Sequence, residues 1–456
     1  MGFYDYLPYY KRNLQIAFPV MLTQLGIALM GVIDSIMVGH HSTAELAAVS
    51  FANAILFSVM LFPLGIMMGI TPMVGKAYAH GESCRVRQLF ANGLLNATLW
   101  GVVTVLLMAC FIPLIPHMGQ DPVVVEKAQP YYLLVVLSIL PLIVGNSFRQ
   151  FLEGLGNTMV AMIITVSANL INIALNGLLI FGFWGFPELG STGAAIATLI
   201  SRCVLPIAYV IAMKIRRCWA VYLKPLEKGD VSRAVLLEIN KIGMPIGFQT
   251  WLETIAFTLS FIFVGWISKE TLAAHQIANH MSDLTFMIAL GVGAATTIRI
   301  SHQWGAGNYE GMRMAANASL HLIIVLNSIG ALLIITLRHL LPHIFTEDRE
   351  VIEIAAHILI YTALYQLSDG LQAVGAAMLR GIQDVKAPMY IALLAYGVIC
   401  LPLGLVLMFP CKMGVDGMWI GFICALSVAA LLFHIRFRKK FKELIPPHLP
   451  QSPDCR

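Results

Sequence analysis

Charge is what this sequence has least of. In 456 residues there are 24 Asp plus Glu and 29 Lys plus Arg, 12% in all, against 58% hydrophobic residues. That is too little ionic surface to solvate the several soluble domains such a length would otherwise suggest. Ligand spacings are also missing: the eight cysteines (84, 110, 203, 218, 400, 411, 424 and 455) form no C-x-x-C pair, which speaks against a disulfide framework and a zinc site. No His-Glu-x-x-His, Gly-x-Ser-x-Gly or Gly-x-Gly-Asp occurs, so the usual companions of a hydrolytic or intramembrane enzyme are absent and the chain reads as a non-enzyme with no cofactor.

What is there instead is apolar sequence in span-length blocks. About 20 apolar residues cross a bilayer, and such stretches fall near 13–38, 46–74, 87–112, 123–149, 158–183, 190–214, 238–266, 272–298, 313–337, 350–379, 386–409 and 415–435. The loops between them are short, punctuated by Gly, Pro and charge as in Gly119-Gln120-Asp121-Pro122. The first stretch is too long for a signal-peptide core and is expected to stay in the mature protein. Sorting Lys and Arg by alternate loops puts 23 on the side of the termini and five on the other, with Arg202 inside helix 6. Both termini are therefore expected in the cytoplasm. The formal charge of +5 is accounted for by this orientation bias, which removes the reason to expect a nucleic-acid partner.

The second half repeats the first. At an offset of 226, Pro19 aligns with Pro245, Gly39 with Gly265, Asn53 with Asn279, Gly65 with Gly291 and Gly81 with Gly307; at 227, Asp121 meets Asp348 and Gly154 meets Gly381; at 224, Gly190 meets Gly414. The expected organisation is an N-terminal six-helix lobe over 1–215, a cytoplasmic linker over 216–236 and a C-terminal six-helix lobe over 237–456 with a basic tail. Six is even, so both lobes start on one side, an arrangement used by secondary transporters.

Four carboxylates fall inside the predicted spans: Asp34, Glu253, Asp283 and Asp369. Each costs about 2.5–3.5 kcal/mol at a helix centre on the insertion scale, so each should face a polar interior. At 1.5 Å of rise per residue, Glu253 lies about 18 Å from Lys241 and Asp369 about 16 Å from Arg380, depths at which the two could share a pocket. A carboxylate so placed holds a proton or a small cation, seldom both, and that exclusivity is what ion coupling needs. Neutral ligands stand one turn away: Gln249 before Glu253, and Tyr365 before Asp369. Gln24 and Thr23 lie on helix 1, and on helix 5 Asn172 and Asn176 share one face. Asp283 has two candidate partners, Arg202 and His280. Gly65-x-x-x-Gly69 is a close-packing motif.

Together, the duplicated unit, the Val32-Ile33-Asp34-Ser35-Ile36-Met37-Val38-Gly39 stretch, Leu252-Glu253-Thr254 and the Leu379-Arg380-Gly381-x-x-Asp384 turn resemble the multidrug and toxic compound extrusion (MATE) transporters, the bacterial norfloxacin-exporter-like branch in particular. The resemblance covers about residues 10–440. It implies an all-α polytopic membrane protein with twelve transmembrane helices in two pseudo-symmetric lobes around a central V-shaped cavity. It further implies a cation-linked site of Glu253, Asp369 and Tyr365, with Na⁺ as the metal that Glu253 and Asp369 would hold, and a first-lobe site of Asp34, Asn172 and Asn176. Some branches carry an acid at the position of Asn176, which puts proton use there in question. The expected function is Na⁺- or H⁺-coupled antiport of amphipathic organic cations by alternating access, from a monomer in a bacterial inner membrane. The alternatives are a flippase for a lipid-linked oligosaccharide, whose pyrophosphate calls for more basic lining than Arg202 alone, an intramembrane enzyme, and a receptor or scaffold.

Overall fold

The computed structural model describes residues 3–224 and 229–445, all helix and loop with no strand among them. Lys228 and Arg456 of the charge count, and the end of the basic tail, lie outside the described residues. Twelve helices long and apolar enough to cross a membrane occur among the described residues: α1 Tyr4–His41, α2 Thr43–His80, α3 Ser83–His117, α4 Pro122–Gly154, α5 Thr158–Ile180, α6 Gly190–Ile215, α7 Arg233–Gly265, α8 Lys269–Gly305, α9 Tyr309–Leu337, α10 Arg349–Gly381, α11 Lys386–Met408 and α12 Val415–Leu444. The apolar runs located every one of them. The helices run past those runs because apolar length marks what can sit in hydrocarbon, whereas a helix continues until its backbone groups are capped.

The repeat is visible in the backbone. Left-handed residues recur at the offsets read from the sequence: Gly81 (φ +85°) and Gly307 (+69°), Gly156 (+84°) and Gln383 (+60°), Gly190 (+54°) and Gly414 (+59°). Asp121 caps α4 by accepting from Val123 N at 2.8 Å, and Asp348 caps α10 by accepting from Glu350 N at 3.0 Å. Outward apolar stripes repeat as well: Leu99, Val103, Leu106 and Leu107 on α3 match Val325, Ile329, Leu332 and Leu333 on α9, and all eight are exposed. Stripes of this kind on both halves suit lipid rather than water as the surrounding solvent.

Four of these helices are interrupted, each for a local reason. α2 breaks at Met68-Gly69, four residues before Pro72, which has no N–H for the helical bond to the Met68 carbonyl. α3 leaves the α form at Cys110-Phe111, where Pro113 has no N–H for the Ala109 carbonyl, and continues as a 3-10 turn over Ile112–His117. α4 breaks at Ser138, whose hydroxyl donates back to Val135 O at 2.6 Å. α11 widens into a π-stretch over Leu393–Cys400 just before Pro402.

By contact the chain forms two compact units, Met1–Leu14 with Ala256–Arg456, and Gln15–Ile255. The dividing points fall inside α1 and α7, so each repeat's first helix has its leading part in the unit built mainly from the other repeat. In the unit Gln15–Ile255, the leading part of α7 packs on α2 through paired glycines. A Cβ at Gly65 would lie 2.6 Å from the Gly247 Cα, and one at Gly69 would lie 3.1 Å from the Gly243 Cα. The motif Gly65-x-x-x-Gly69 thus meets Gly243-x-x-x-Gly247 backbone to backbone. The segment before α7 is tied to α3: Arg87 donates to Asp230 Oδ2 at 2.7 Å, and Asn92 both donates to Asp230 O at 2.7 Å and accepts from Ser232 N at 3.0 Å. In the other unit, the opening residues of α1 dock on α9. Asn13, fully buried, donates to Ala315 O at 3.1 Å and Ser319 Oγ at 2.9 Å, while Tyr10 OH lies 2.8 Å from His321 Nδ1. This docking explains why α1 begins at Tyr4 and not near 13.

Candidate functional site

Asp34 sits in the last third of α1, half-buried, facing α5. Asn176 Nδ2 donates to Asp34 Oδ1 at 2.6 Å and is 3.2 Å from Asn172 Oδ1, one turn earlier on the same face. Turned the other way, the Asn172 amide itself donates to Asp34 Oδ1 at 2.9 Å and accepts from Thr198 N at 3.3 Å. Both asparagines are fully buried. The network ends on α6, where Thr198 Oγ1 and Ser201 Oγ each lie 3.5 Å from Asn172 Nδ2. The spacing 172/176 therefore delivers two amides to one carboxylate, and the spacing 198/201 puts two hydroxyls behind them. Asn176 Oδ1 is buried without a hydrogen-bond partner, an acceptor left over beside the carboxylate.

Arg202, one residue past Ser201, is anchored by a 2.8 Å donation to Ser138 Oγ at the break of α4. Its charge is felt by Asp34 and Tyr131, and Tyr131 OH donates to Asn53 Oδ1 at 3.2 Å. Of the two expected partners of Asp283, His280 lies within electrostatic reach of it, its ring stacked on Phe345 at 5.8 Å.

Gln24 is not part of the Asp34 network. It accepts from Arg149 Nη2 at 3.2 Å, beside an Arg149 Nε to Glu153 Oε1 pair at 2.7 Å. Thr23 is likewise internal, donating to Pro19 O at 2.8 Å.

Gln249 Nε2 donates to Glu253 Oε1 at 3.1 Å, one turn apart on α7 as the sequence spacing required. Both belong to the unit Gln15–Ile255, whereas Asp369 and Tyr365 belong to the other. Asp369 and Tyr365 are buried on α10. Tyr365 stands edge-on to Phe257, Trp419 and Phe422, with centroids at 6.4, 5.5 and 6.1 Å. His275 joins this wall: it meets Trp419 edge-on at 5.6 Å, with its Nε2 3.1 Å from both Ser260 Oγ and Asn279 Nδ2. Sequence reading missed His275, although its place among α8 apolar residues was a usable sign.

Two further buried carboxylates escaped notice. Glu153 is matched by Arg149 at the i,i+4 spacing, a signal that was present but lay beyond the predicted end of the span. Glu45 is contacted by His41 Nδ1 at 2.9 Å and Lys127 Nζ at 3.4 Å, and it accepts from Ser191 N at 2.8 Å, closing the first turn of α6. Nothing in the local sequence links residues 45, 127 and 191. These acids have permanent cationic partners, whereas Asp34 and Glu253 are met by side-chain amides. Protonation or cation binding at an amide-held carboxylate strands no positive partner, whereas at Glu45 or Glu153 it would leave Lys127 or Arg149 without its counter-charge.

The comparisons with known proteins agree with this geometry. A model of the MatE family matches twice, over residues 19–178 and 245–406, once in each repeat. A "Probable multidrug resistance protein NorM" of Xanthomonas campestris pv. campestris is 31% identical over 94% of this chain and 94% of its own length. The "Multidrug resistance protein NorM" of Photobacterium profundum is 30% identical over 94% and 95%. Among solved structures, the eukaryotic MATE transporter AtDTX14 superposes with a TM-score of 0.85 at 20% identity, covering 96% of this chain and 99% of that one. A MOP-superfamily transporter from Pyrococcus furiosus, described as having a binding pocket of reverse polarity, superposes with a TM-score of 0.85 at 19% identity, covering 96% and 97%.

Proposed function

Since the chain belongs to the MatE family, a family of transporters and not enzymes, we propose that it is a multidrug efflux protein driven by a cation gradient. Na⁺ or H⁺ entering from outside occupies the carboxylates, and an amphipathic organic cation leaves in exchange by alternating access. The observation that carries this reading is the Asp34 network: a carboxylate inside a transmembrane helix, held by Asn176 at 2.6 Å, with a spare buried oxygen beside it. Glu253, Asp369 and Tyr365 form the second cation-linked set in this proposal, with Na⁺ the metal it would take. The driving force suffices: each charge moved inward gains about 2.3 kcal/mol per 100 mV, and each pH unit about 1.4 kcal/mol.

In this proposal the protein works as a monomer in a bacterial inner membrane with both termini in the cytoplasm. The excess of Lys and Arg on the termini's side supports that orientation. The test is dye export by cells expressing Asp34→Asn. A carboxamide keeps the size and hydrogen-bond reach but cannot exchange a proton or neutralise a cation, so export should fall at least ten-fold with normal membrane insertion. Undiminished export by Asp34→Asn would remove the first site from the scheme.

A further inference from the structure

The end of α8 and the start of α1 carry two arginines that the transport scheme does not use. Arg299 lies six residues before the end of α8, half-buried, with its guanidinium carbon 5.8 Å from the centre of the Tyr9 ring. Tyr9 and Arg12 are three apart on α1, so their side chains share a face, with Cβ atoms about 5–6 Å apart. The stacked Arg299 is thereby brought beside Arg12, and each lies within electrostatic reach of the other. Two like charges held together are unfavourable unless an anion joins them. No ion pair or hydrogen bond among the described residues engages either guanidinium, and Arg299 Nε is buried without a partner.

This pair is rigidly presented. The start of α1 is fixed to α9 by Asn13, by Tyr10 on His321 and by Tyr6, whose ring meets His321 at 5.3 Å and whose hydroxyl accepts from Asn317 at 3.3 Å. Leu7 and Leu14 are exposed on the opposite face of the same helix. The apolar run of α1 begins directly after Arg12, and tyrosines and arginines at the end of such a run are the composition of a membrane interface at headgroup level. The equivalent place formed by the other halves of the repeat lacks the pair, since the residues matching Arg299 and Arg12 at an offset of 226 are Met73 and Glu238.

We propose that Arg12 and Arg299 clamp the phosphate of an anionic phospholipid headgroup, with Tyr9 as the floor of the site. Guanidinium groups suit a phosphate because they donate in a planar fork, two bonds from each arginine. A free phosphate offers the same chemistry, but the place of the pair at the edge of the α1 apolar run favours a phosphate attached to a lipid.

The test uses the full-length protein, purified and delipidated in a neutral detergent. Native mass spectrometry counts retained phosphatidylglycerol and phosphatidylcholine across a titration, and the melting temperature is followed with each lipid and with inorganic phosphate. Wild type should retain phosphatidylglycerol in preference to phosphatidylcholine and melt higher with it, while phosphate alone gives no shift. Each of R12Q and R299Q should weaken phosphatidylglycerol retention about five-fold, from the usual contribution of one basic residue near a membrane surface. K11Q, which removes a neighbouring charge on another face, should behave as wild type. R12Q alters an exposed residue and keeps the test valid should R299Q fold poorly. Retention unchanged in R12Q, or phosphatidylcholine held as well as phosphatidylglycerol, would overturn the proposal. An equal, arginine-dependent shift with inorganic phosphate would overturn the assignment to lipid.

Discussion

Replacing Gly247 by alanine should loosen the contact between α7 and α2. The added Cβ would lie 2.6 Å from Phe62 O and 3.1 Å from Ile66 Cγ1, so a backbone oxygen, which cannot rotate away, must move by several tenths of an ångström. Overpacking of this kind costs about 1–3 kcal/mol, and relief of glycine's helix penalty returns about 1 kcal/mol. A net loss of about 1–2 kcal/mol is expected, because the obstructing atoms belong to a helix packed along its length. Gly31→Ala is the matched control: it lies in α1 with nothing within 4 Å of the added Cβ, so it should be neutral or gain up to about 1 kcal/mol. Gly65→Ala opposes the same backbone as Gly247→Ala, and the double variant should lose less than the two losses added, since one displacement of the helices serves both. Thermal unfolding in detergent, followed by tryptophan fluorescence, reads these differences as a fall of about 1–2 °C for Gly247→Ala. A melting temperature at or above wild type for Gly247→Ala, or an equal fall for Gly31→Ala, would refute the reasoning.

Other outcomes follow from the buried polar groups. Arg149→Ala strands the buried Glu153 carboxylate and should cost about 3–5 kcal/mol, whereas Arg149→Ala with Glu153→Ala should recover much of it; a double-mutant cycle of melting temperatures checks the coupling. Glu45→Ala leaves the Ser191 N–H at the start of α6 unsatisfied and should cost about 1–2 kcal/mol, while Glu45→Gln keeps an acceptor there and should cost less, measured by the same unfolding assay. Asn176→Ala should slow gradient-driven transport more than it lowers the melting temperature, because it removes the 2.6 Å donor to Asp34 from a site still braced by Asn172; transport rates and unfolding measured on one preparation separate the two effects.

The sequence carried the architecture because lipid leaves few options. Every backbone polar group must be satisfied within its own helix, so apolar blocks became helices, and three of the pairs that held the two halves in register, Gly81 with Gly307, Gly190 with Gly414 and Asp121 with Asp348, reappear as left-handed turns and caps. The site was legible where it depended on spacing along one helix: Asn172 with Asn176, and Gln249 with Glu253. It was not legible where it depended on which helices become neighbours. Gln24 was expected near the cation site, yet Arg149 claims it. Glu45, Lys127 and Ser191 come from three separate stretches, and Gly243-x-x-x-Gly247 gave no sign of being the partner of Gly65-x-x-x-Gly69. The exchange of leading segments between the two units escaped for the same reason, since it concerns packing partners and not periodicity.

The central claim is that carboxylates in the helices couple a cation gradient to the export of organic cations. Its most direct measurement is efflux of a fluorescent cationic dye from proteoliposomes under an imposed Na⁺ gradient and, separately, an imposed proton gradient. Wild type is compared with Asp34→Asn and with the Glu253→Gln/Asp369→Asn double variant. The account predicts transport driven by one of the gradients in wild type and its loss in both variants at normal reconstitution. Equal gradient-driven efflux in wild type and the double variant, or none under either gradient with well-folded protein, would contradict it.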